Sequence, residues 1–178
     1  MLFRSPRFFE TFYPASRAGD DLGEVWAINT SDRTDLAIER RVKNGKAAVG
    51  ELNVLFELKK PDNAAEMPER DRLNSKAFQQ LLYYFLQKRL TQRKTRIRSL
   101  IITNIYEWFV FDARAIETLF LGDRQLVRDF KDFEAGRLSY GKTDDFYKQA
   151  AAGAIARNEE RLERSEERRV GKECRSRW

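Results

Sequence analysis

The order of apolar and polar positions along the chain predicts alternating strands and helices. Two short alternating runs come first and are separated by the turn-like TSDRT, which predicts an antiparallel pair. An Asn-Gly turn signal in KNGK leads into a third run. Two further runs, rich in branched and aromatic residues, follow later in the chain. The five predicted strands are EVWAIN (Glu24–Asn29), DLAIER (Asp35–Arg40), ELNVLFELK (Glu51–Lys59), IRSLIITN (Ile97–Asn104) and YEWFVFD (Tyr106–Asp112).

Between the third and fourth strands the apolar period changes to that of a helix. The segment Asp71–Gln92 places its apolar residues near one stripe, which is typical of an amphipathic helix. The stripe consists of Leu73, Ala77, Leu81, Tyr84, Phe85 and Leu90. Beyond Ala113 the pattern is again helical, with a turn at Glu134–Asp145. The order β-β-β-α-β-β-α-α predicts an α/β fold, whereas the polar stretch Tyr13–Gly23 is typical of a loop.

Composition limits the class of protein. A chain of 178 residues with 42% apolar residues can form one domain with its own core. No apolar run approaches the roughly 20 residues that span a bilayer. The start of the chain lacks the apolar segment and cleavage site of a signal peptide, and a single cysteine excludes a disulfide framework. We therefore expect a cytoplasmic protein.

The last fifteen residues change the charge balance. The stretch Arg164–Trp178, RSEERRVGKECRSRW, looks like the in-frame translation of a sequencing adapter, and we interpret it as a non-native tail. It holds six Lys/Arg, three Asp/Glu and the cysteine, so that 28 basic and 25 acidic residues remain. The domain is then expected over residues 1–160, with native sequence continuing past Glu163 in the intact protein. A net charge of +3 gives little support for nucleic-acid binding.

The third strand carries the candidate chemistry. Alternation places Glu57 and Lys59 on one face and Phe56 and Leu58 on the other, which we expect to face the core. An ion pair on a solvated face is one interpretation. In the other, the carboxylate binds a hard cation and the ammonium positions a water molecule. Asp35 opens the second strand, and an antiparallel neighbour would bring its carboxylate alongside Glu57.

The chain contains no histidine. This excludes a histidine general base, a Ser-His-Asp triad and the usual zinc site. Hydrolysis would therefore depend on carboxylates, a lysine and a metal ion, and oxygen ligands with open positions suit Mg²⁺.

The pattern Asp35…Glu57-x-Lys59, which ends a strand and precedes a helix, resembles the PD-(D/E)XK nuclease superfamily. Three longer runs are similar to something narrower, the N-terminal nuclease-like domain of type IIG-like restriction–modification proteins, in which an adenine DNA methyltransferase follows on the same chain. These runs are INTSDRTDLAIER, VLFELKKPDNAAEMPERDRLNSKAFQQLLYY and LIITNIYEWFVFDA. The resemblance covers residues 8–150.

The resemblance implies a restriction-endonuclease-like fold, a central mixed sheet flanked by helices, and metal-dependent hydrolysis of double-stranded DNA. Asp35 and Glu57 would bind Mg²⁺ (or Mn²⁺), helped by the carbonyl of Leu58, and Lys59 would position the attacking water. Gln80 and Tyr84 are similar to the glutamine–tyrosine motif of RecB-like members and share a helix face. Gln79 and Tyr83 have the same spacing, so the register stays open.

The chain departs from the resembled proteins in two respects. Many members have a further glutamate on a helix before the first strand, for which Glu10 is a poor candidate. The methyltransferase and specificity regions are absent: we find no Gly-rich cofactor loop and no Asn-Pro-Pro-aromatic motif. The alternative function is therefore a catalytically inactive DNA-binding or interaction module of a DNA adenine methyltransferase protein.

A basic run, KRLTQRKTRIR (Lys88–Arg98), has six cations and no acid. It is typical of a solvated helix end. Beside a nuclease site the same run could neutralise backbone phosphates.

Overall fold

The computed structural model describes residues 24–29, 36–44, 47–139 and 141–173. The strands are β1 (Glu24–Asn29), β2 (Leu36–Asn44), β3 (Ala47–Leu58), β4 (Ser99–Thr103) and β5 (Trp108–Asp112). The helices are α1 (Lys76–Leu86), α2 (Ala113–Ile116), α3 (Arg124–Glu134), α4 (Thr143–Phe146) and α5 (Ala152–Glu173). The α/β class is confirmed, and so is the predicted order up to β5. After β5 the chain forms the four helices α2–α5, where the pattern predicts two.

Short π-helical segments continue three of these helices. They are Gln87–Thr91 after α1, Glu117–Leu121 after α2 and Tyr147–Ala151 after α4. The last of these runs directly into α5, so that residues 143–173 form a continuous helical stretch. It extends into residues 164–173, which the sequence assigns to a non-native tail.

The strands form one mixed sheet in the order β1-β2-β3-β4-β5. Only β3 and β4 are parallel; the other neighbouring pairs are antiparallel. Parallel neighbours need a long crossover, and here it contains α1. Because of this register, Leu36 lies opposite Phe56 and Glu57 lies beside Ile102.

A β-bulge interrupts the pairing of β2 with β3. Ile38 pairs with Val54 and Glu39 pairs with Leu52, so Asn53 is an extra residue on β3. An extra residue exchanges the two faces of the strand beyond it. Leu52 and Leu55 therefore lie in the same core although they are three residues apart.

The main hydrophobic core lies between one face of the sheet and the helices. Leu55, Leu100 and Ile102 are fully buried there, against the apolar face of α1. The predicted helical stripe is confirmed for its buried members, Leu73, Ala77, Leu81 and Phe85, and its other two members pack against the same core.

A second, smaller cluster lies on the other side of β3, where Phe56 packs with Ile38. Leu58 is partly buried against the same pair. The prediction that Phe56 and Leu58 face the core, and Glu57 the other side, is therefore wrong for the main core. Glu57 follows Leu55 by two residues and lies on the helix-covered face. The cause is that β3 is apolar on both faces, so alternation alone does not identify the larger core.

The first helix begins later than its apolar period predicts. Ser75 is the N-cap and its hydroxyl accepts a hydrogen bond from the backbone N–H of Phe78. The preceding residues are held by side chains instead: Glu159 accepts from the N–H of Leu73 at 2.9 Å, and Asn74 donates to the carbonyl of Ala152. Within the described ranges, no helix has the length and apolarity needed to cross a bilayer.

Candidate functional site

Lys59 is the centre of a polar cluster where β3 ends. Its backbone N–H donates to the carbonyl of Thr103 at 2.9 Å, which fixes the residue against β4. Its ammonium lies 2.8 Å from Oε1 of Glu57 and 3.1 Å from Oε2 of Glu66, and it also donates to Oε1 of Gln80. The side chains of Lys59 and Glu57 are only 9% and 3% exposed. The predicted pair of charges is thus a buried ion pair and does not lie on a solvated face.

The charge of Lys59 follows from its neighbours. Burial alone would lower its pKa, but the charges and hydrogen bonds of Glu57 and Glu66 outweigh burial and raise the pKa above its ordinary value. The side chain is therefore an ammonium at neutral pH. In that state it can donate hydrogen bonds and stabilise negative charge, but it cannot accept a proton.

Helix α1 supplies the third partner of Lys59. Its orientation distinguishes the two possible glutamine–tyrosine pairs, Gln80/Tyr84 and Gln79/Tyr83. Gln80 contacts Lys59, whereas the amide of Gln79 donates to Oδ1 of Asn74 at 3.0 Å. Tyr84 lies one turn beyond Gln80, and Tyr83 donates its hydroxyl to Glu134 instead. The pair Gln80 and Tyr84 therefore faces the cluster, and its catalytic role stays a prediction.

Tyr147 is a member of the cluster that the sequence did not indicate. It is buried, and its hydroxyl is hydrogen-bonded to that of Tyr84. Burial, this hydrogen bond and the nearby charge of Glu57 raise the pKa of Tyr147 far above its ordinary value. Tyr147 is therefore a neutral hydroxyl at any physiological pH. Tyr147 is 90 residues from Glu57 in the sequence, and no local pattern links the two.

Glu66 is the second residue that sequence reasoning missed. It closes the 3-10 turn Ala64–Glu66 and binds Lys59 through one oxygen and Lys76 through the other, the latter at 3.0 Å. Burial would raise the pKa of Glu66, but the hydrogen bonds and charges of the two lysines lower it. Glu66 follows the end of β3 within ten residues, and this closeness is a weak signal in the sequence. No spacing rule, however, connects Glu66 to Lys59.

Two acids that the sequence proposed, Asp35 and Glu10, lie outside the described residues. The second described range starts at Leu36, which pairs with Phe56. The described part supplies the carboxylate of Glu57 and the carbonyl of Leu58, which are hard oxygen donors of the type that Mg²⁺ binds. No group of three acidic, histidine or cysteine side chains able to hold a metal occurs within that part. These donors would suit Mg²⁺, and the described residues include only two of the three predicted donors, Glu57 and the carbonyl of Leu58.

The basic run Lys88–Arg98 contributes fewer free cations than its sequence indicates. Lys88 is buried and donates to Gln92 at 3.2 Å. Arg89 pairs with Glu117 and lies over the ring of Phe85. Lys88 and Arg89, two of the six cations, therefore hold the end of α1 in place.

A comparison with protein families matches residues 22–166 to a family described as Domain of unknown function (DUF7149), and the chain belongs to this family. No curated protein and no solved structure matches the chain. The family description assigns no activity, and the cluster around Lys59 is the described feature that bears on function.

Proposed function

We propose that this chain, which belongs to a family whose description assigns no activity, is a metal-dependent DNA endonuclease domain of a restriction–modification protein. The observation that supports this most is the contact of Lys59 with the buried Glu57 at the end of a strand and with Gln80 on the following helix. The resemblance to PD-(D/E)XK nucleases, with its restriction-endonuclease-like fold, belongs to the same proposal. The proposal also includes a cytoplasmic location, and methyltransferase and specificity regions attached to this domain in the intact protein.

The burial of the ion pair between Glu57 and Lys59 favours a functional role over a structural one. A buried ion pair contributes little to stability compared with apolar residues of the same volume, because both charges lose their hydration. Leu55 shows that this face of β3 can carry a fully buried apolar residue. A carboxylate and an ammonium at the next two positions on that face therefore need a reason other than packing.

In the proposed reaction the residues have separate roles. Glu57, the carbonyl of Leu58 and Asp35 would hold Mg²⁺ or Mn²⁺, which supplies positive charge to the scissile phosphate when bound. The placement of Asp35 is itself proposed: one further step of the β2–β3 ladder beyond Leu36 and Phe56 would bring it opposite Glu57. Lys59, an ammonium, would donate to the attacking water and stabilise the developing negative charge. Gln80 orients Lys59, and Tyr84 with Tyr147 closes the cluster on the helix side.

The test is cleavage of double-stranded DNA by the full chain with Mg²⁺, with Mn²⁺ and with EDTA. We expect nicking or cleavage with the metals and none with EDTA. Lys59→Arg keeps a cation beside Glu57 but replaces a compact ammonium with a planar fork, and we expect it to fold and to lose at least a hundredfold in rate. Lys59→Ala should be equally inactive.

Lys76→Ala is the matched control. Lys76 shares Glu66 with Lys59, but its side chain is 45% exposed, and cleavage should continue at nearly the wild-type rate. Cleavage that persists in Lys59→Ala would exclude the assignment. A metal-independent activity would exclude it as well.

One observation favours the second candidate, an inactive DNA-binding or interaction module of a DNA adenine methyltransferase protein. The three hydrogens of the Lys59 ammonium already have three acceptors, Glu57, Glu66 and Gln80. A lysine held in this way has no hydrogen left for water unless one acceptor moves. DNA binding that is equal with and without Mg²⁺, together with no cleavage under any condition, would support this candidate.

A further inference from the structure

Helix α3 carries a row of cations beside an open cleft on the surface. The cleft has a volume of about 410 Å³, and four of its lining residues are Arg124, Arg128, Lys131 and Arg137. Apolar contacts from Leu121 line the same cleft. It lies apart from the cluster around Lys59, with which it shares no residue.

The spacing of the cations places them on one side of the helix. Arg124, Arg128 and Lys131 are four and three residues apart, which brings them onto one face. The opposite face is anchored in the core by Leu126 and Phe130, both of which are buried. The cationic face is therefore held toward solvent by the packing of the other side.

Three of the four cations have no acidic partner among the described residues. Arg137 is bound to Asp132, with its Nε 3.0 Å from Oδ1. Asp123 precedes Arg124 directly, but its carboxylate is engaged by Arg157 at 2.6 Å and by two backbone N–H groups of the first turn. Within the described part of the chain, no carboxylate forms an ion pair with Arg124, Arg128 or Lys131.

The positions of the cations do not stabilise helix α3. Arg124 is the first residue of α3, where the helix macrodipole disfavours positive charge. Unpaired like charges one turn apart also repel each other by a few tenths of a kcal/mol. The row is therefore retained at a small cost in stability, and an anionic ligand would account for it.

We propose that the cationic face of α3, formed by Arg124, Arg128 and Lys131, binds the phosphodiester backbone of duplex DNA. The choice of DNA rests on the proposed function; the choice of an anion rests on charge complementarity. The row spans about 10 Å at the rise of 1.5 Å per residue. Along the helix axis, the first and third of three successive phosphates of one strand are about 7 Å apart, so the row is long enough to reach three of them.

The location of α3 relates the row to the candidate site. Phe130 and Phe133 pack against the ring of Tyr83, and Glu134 accepts from its hydroxyl at 2.9 Å. Tyr83 is the sequence neighbour of Tyr84, which belongs to the Lys59 cluster. One duplex contacting both surfaces would be held by α3 at phosphates away from the scissile bond.

The test is the salt dependence of binding, measured without metal so that nothing is cleaved. Fluorescence anisotropy of a short labelled duplex is recorded in EDTA over a series of salt concentrations, for the wild type and for Arg124→Gln/Arg128→Gln/Lys131→Gln. Each phosphate contact contributes about 0.9 to the slope of log K against log salt. The triple variant should therefore reduce the slope by about 2.7, and Arg128→Gln alone by about 0.9.

A matched triple variant separates contact from net charge. Arg114→Gln/Lys148→Gln/Arg161→Gln removes the same charge from exposed cations on other elements, and it should change the slope by much less than the α3 triple. Thermal melting of both triples should match the wild type or, for the α3 triple, lie slightly above it, because repulsion is relieved. Equal slopes for the two triples would overturn the proposal, as would the absence of duplex binding at low salt.

Other ligands are distinguished in the same assay. A single strand of the same length has a smaller slope per contact, about 0.7. If the α3 triple changes the slope for the single strand and leaves that for the duplex unchanged, the duplex assignment is wrong. If the α3 triple weakens duplex binding while the wild type cleaves no DNA with Mg²⁺, the α3 surface is supported and the nuclease proposal fails on its own.

Discussion

The residue that limits the chemistry of the candidate site is Lys59, because its surroundings fix its charge. Glu57 and Glu66 raise its pKa above the ordinary value, so it acts as a cation over the whole physiological range. Glu57 is 2% exposed, and the ammonium of Lys59 compensates for much of the hydration that its carboxylate loses on burial. The two side chains should therefore behave as one unit in mutational experiments.

This coupling predicts the stability of the site variants. Lys59→Ala leaves the buried carboxylate of Glu57 without the ammonium 2.8 Å away, and we expect a loss of about 3–5 kcal/mol in the free energy of unfolding. In Glu57→Gln/Lys59→Ala no buried charge remains, and the loss should be clearly smaller than the sum of the two single losses. Urea unfolding of the four proteins gives the coupling energy. Additive losses would show that the pair is not coupled.

Glu66 makes the stability depend on pH on the acidic side. Its pKa is lowered from the ordinary 4.5 in the folded state. The stabilisation is therefore complete above about pH 4.5, where the unfolded chain is also ionised, and it is lost as the pH falls through the lower folded-state pKa. Glu66→Gln should flatten the fall in unfolding free energy below pH 4.5.

Glu69→Gln is the control for this pH series. Glu69 forms an exposed ion pair with Arg72, and such pairs contribute little. The slope below pH 4.5 should then stay close to that of the wild type. A Glu66→Gln curve parallel to the wild-type curve would contradict the assignment of this pH dependence to Glu66.

At the scale of single elements, α3 shows how the end of a helix positions a surface. Gly136 has a φ of +66° after the last turn, and its N–H donates to the carbonyl of Phe133 at 2.9 Å. The next N–H, of Arg137, bonds the carbonyl of Asp132 at 2.8 Å. This ending turns Arg137 back against the helix, where it pairs with Asp132 and lines the cleft.

Gly136→Ala should cost about 1–2 kcal/mol of unfolding free energy, because an L-residue is strained in the left-handed conformation. No atom lies within 4 Å of the added Cβ, so the cost is conformational only. Gly141→Ala is the matched control: its Cβ also meets nothing within 4 Å, and no left-handed φ is involved. Chemical denaturation of the two variants should give a difference of at least 1 kcal/mol.

Sequence pattern predicted the elements better than their ends. The five strands and the main helix were predicted because their apolar periods are long and clear. The start of α1 was not, because Leu73 belongs to the same buried stripe while lying before the Ser75 cap. The extension of β3 back to Ala47 was not predicted either, since AAVG has weak strand propensity and is ordered by pairing with β2.

Within the site, the local pair was predictable and the distant partners were not. Glu57 and Lys59 are two residues apart on one strand, so alternation alone brings them together. Whether Gln80 or Gln79 contacts Lys59 depends on the rotation of α1 about its axis relative to the sheet. The apolar period of α1 does not determine this rotation to within one residue. Tyr147 lies on the π-helical segment after α4 and is positioned by its ring contact with Tyr83. Glu66 lies on a short 3-10 turn, where the sequence has no periodic pattern.

At the scale of the whole molecule, the last described buried side chain lies beyond the predicted domain boundary at residue 160. Leu162 is fully buried and belongs to the main core. We expect Leu162→Ala to lower the unfolding free energy by about 2–5 kcal/mol. A chain ending at residue 163 should retain most of the wild-type stability, and one ending at residue 160 should not. Thermal melts of these three variants and the wild type test this; equal melting temperatures would place the boundary at or before residue 160.

The bulge at Asn53 is a part of β3 that relatives of this chain can lose without moving the charged pair. Asn53 contributes a backbone step, and its side chain bonds the nearby carbonyl of Glu51. Deletion of Asn53 would leave Leu52 and Leu55 two residues apart, so a regular ladder would keep Leu55 and Glu57 on the helix-covered face. Deletion of one residue between Leu55 and Glu57 would instead turn Glu57 to the other face. The position of the charged pair therefore depends on the number of residues after the bulge and not on the bulge itself.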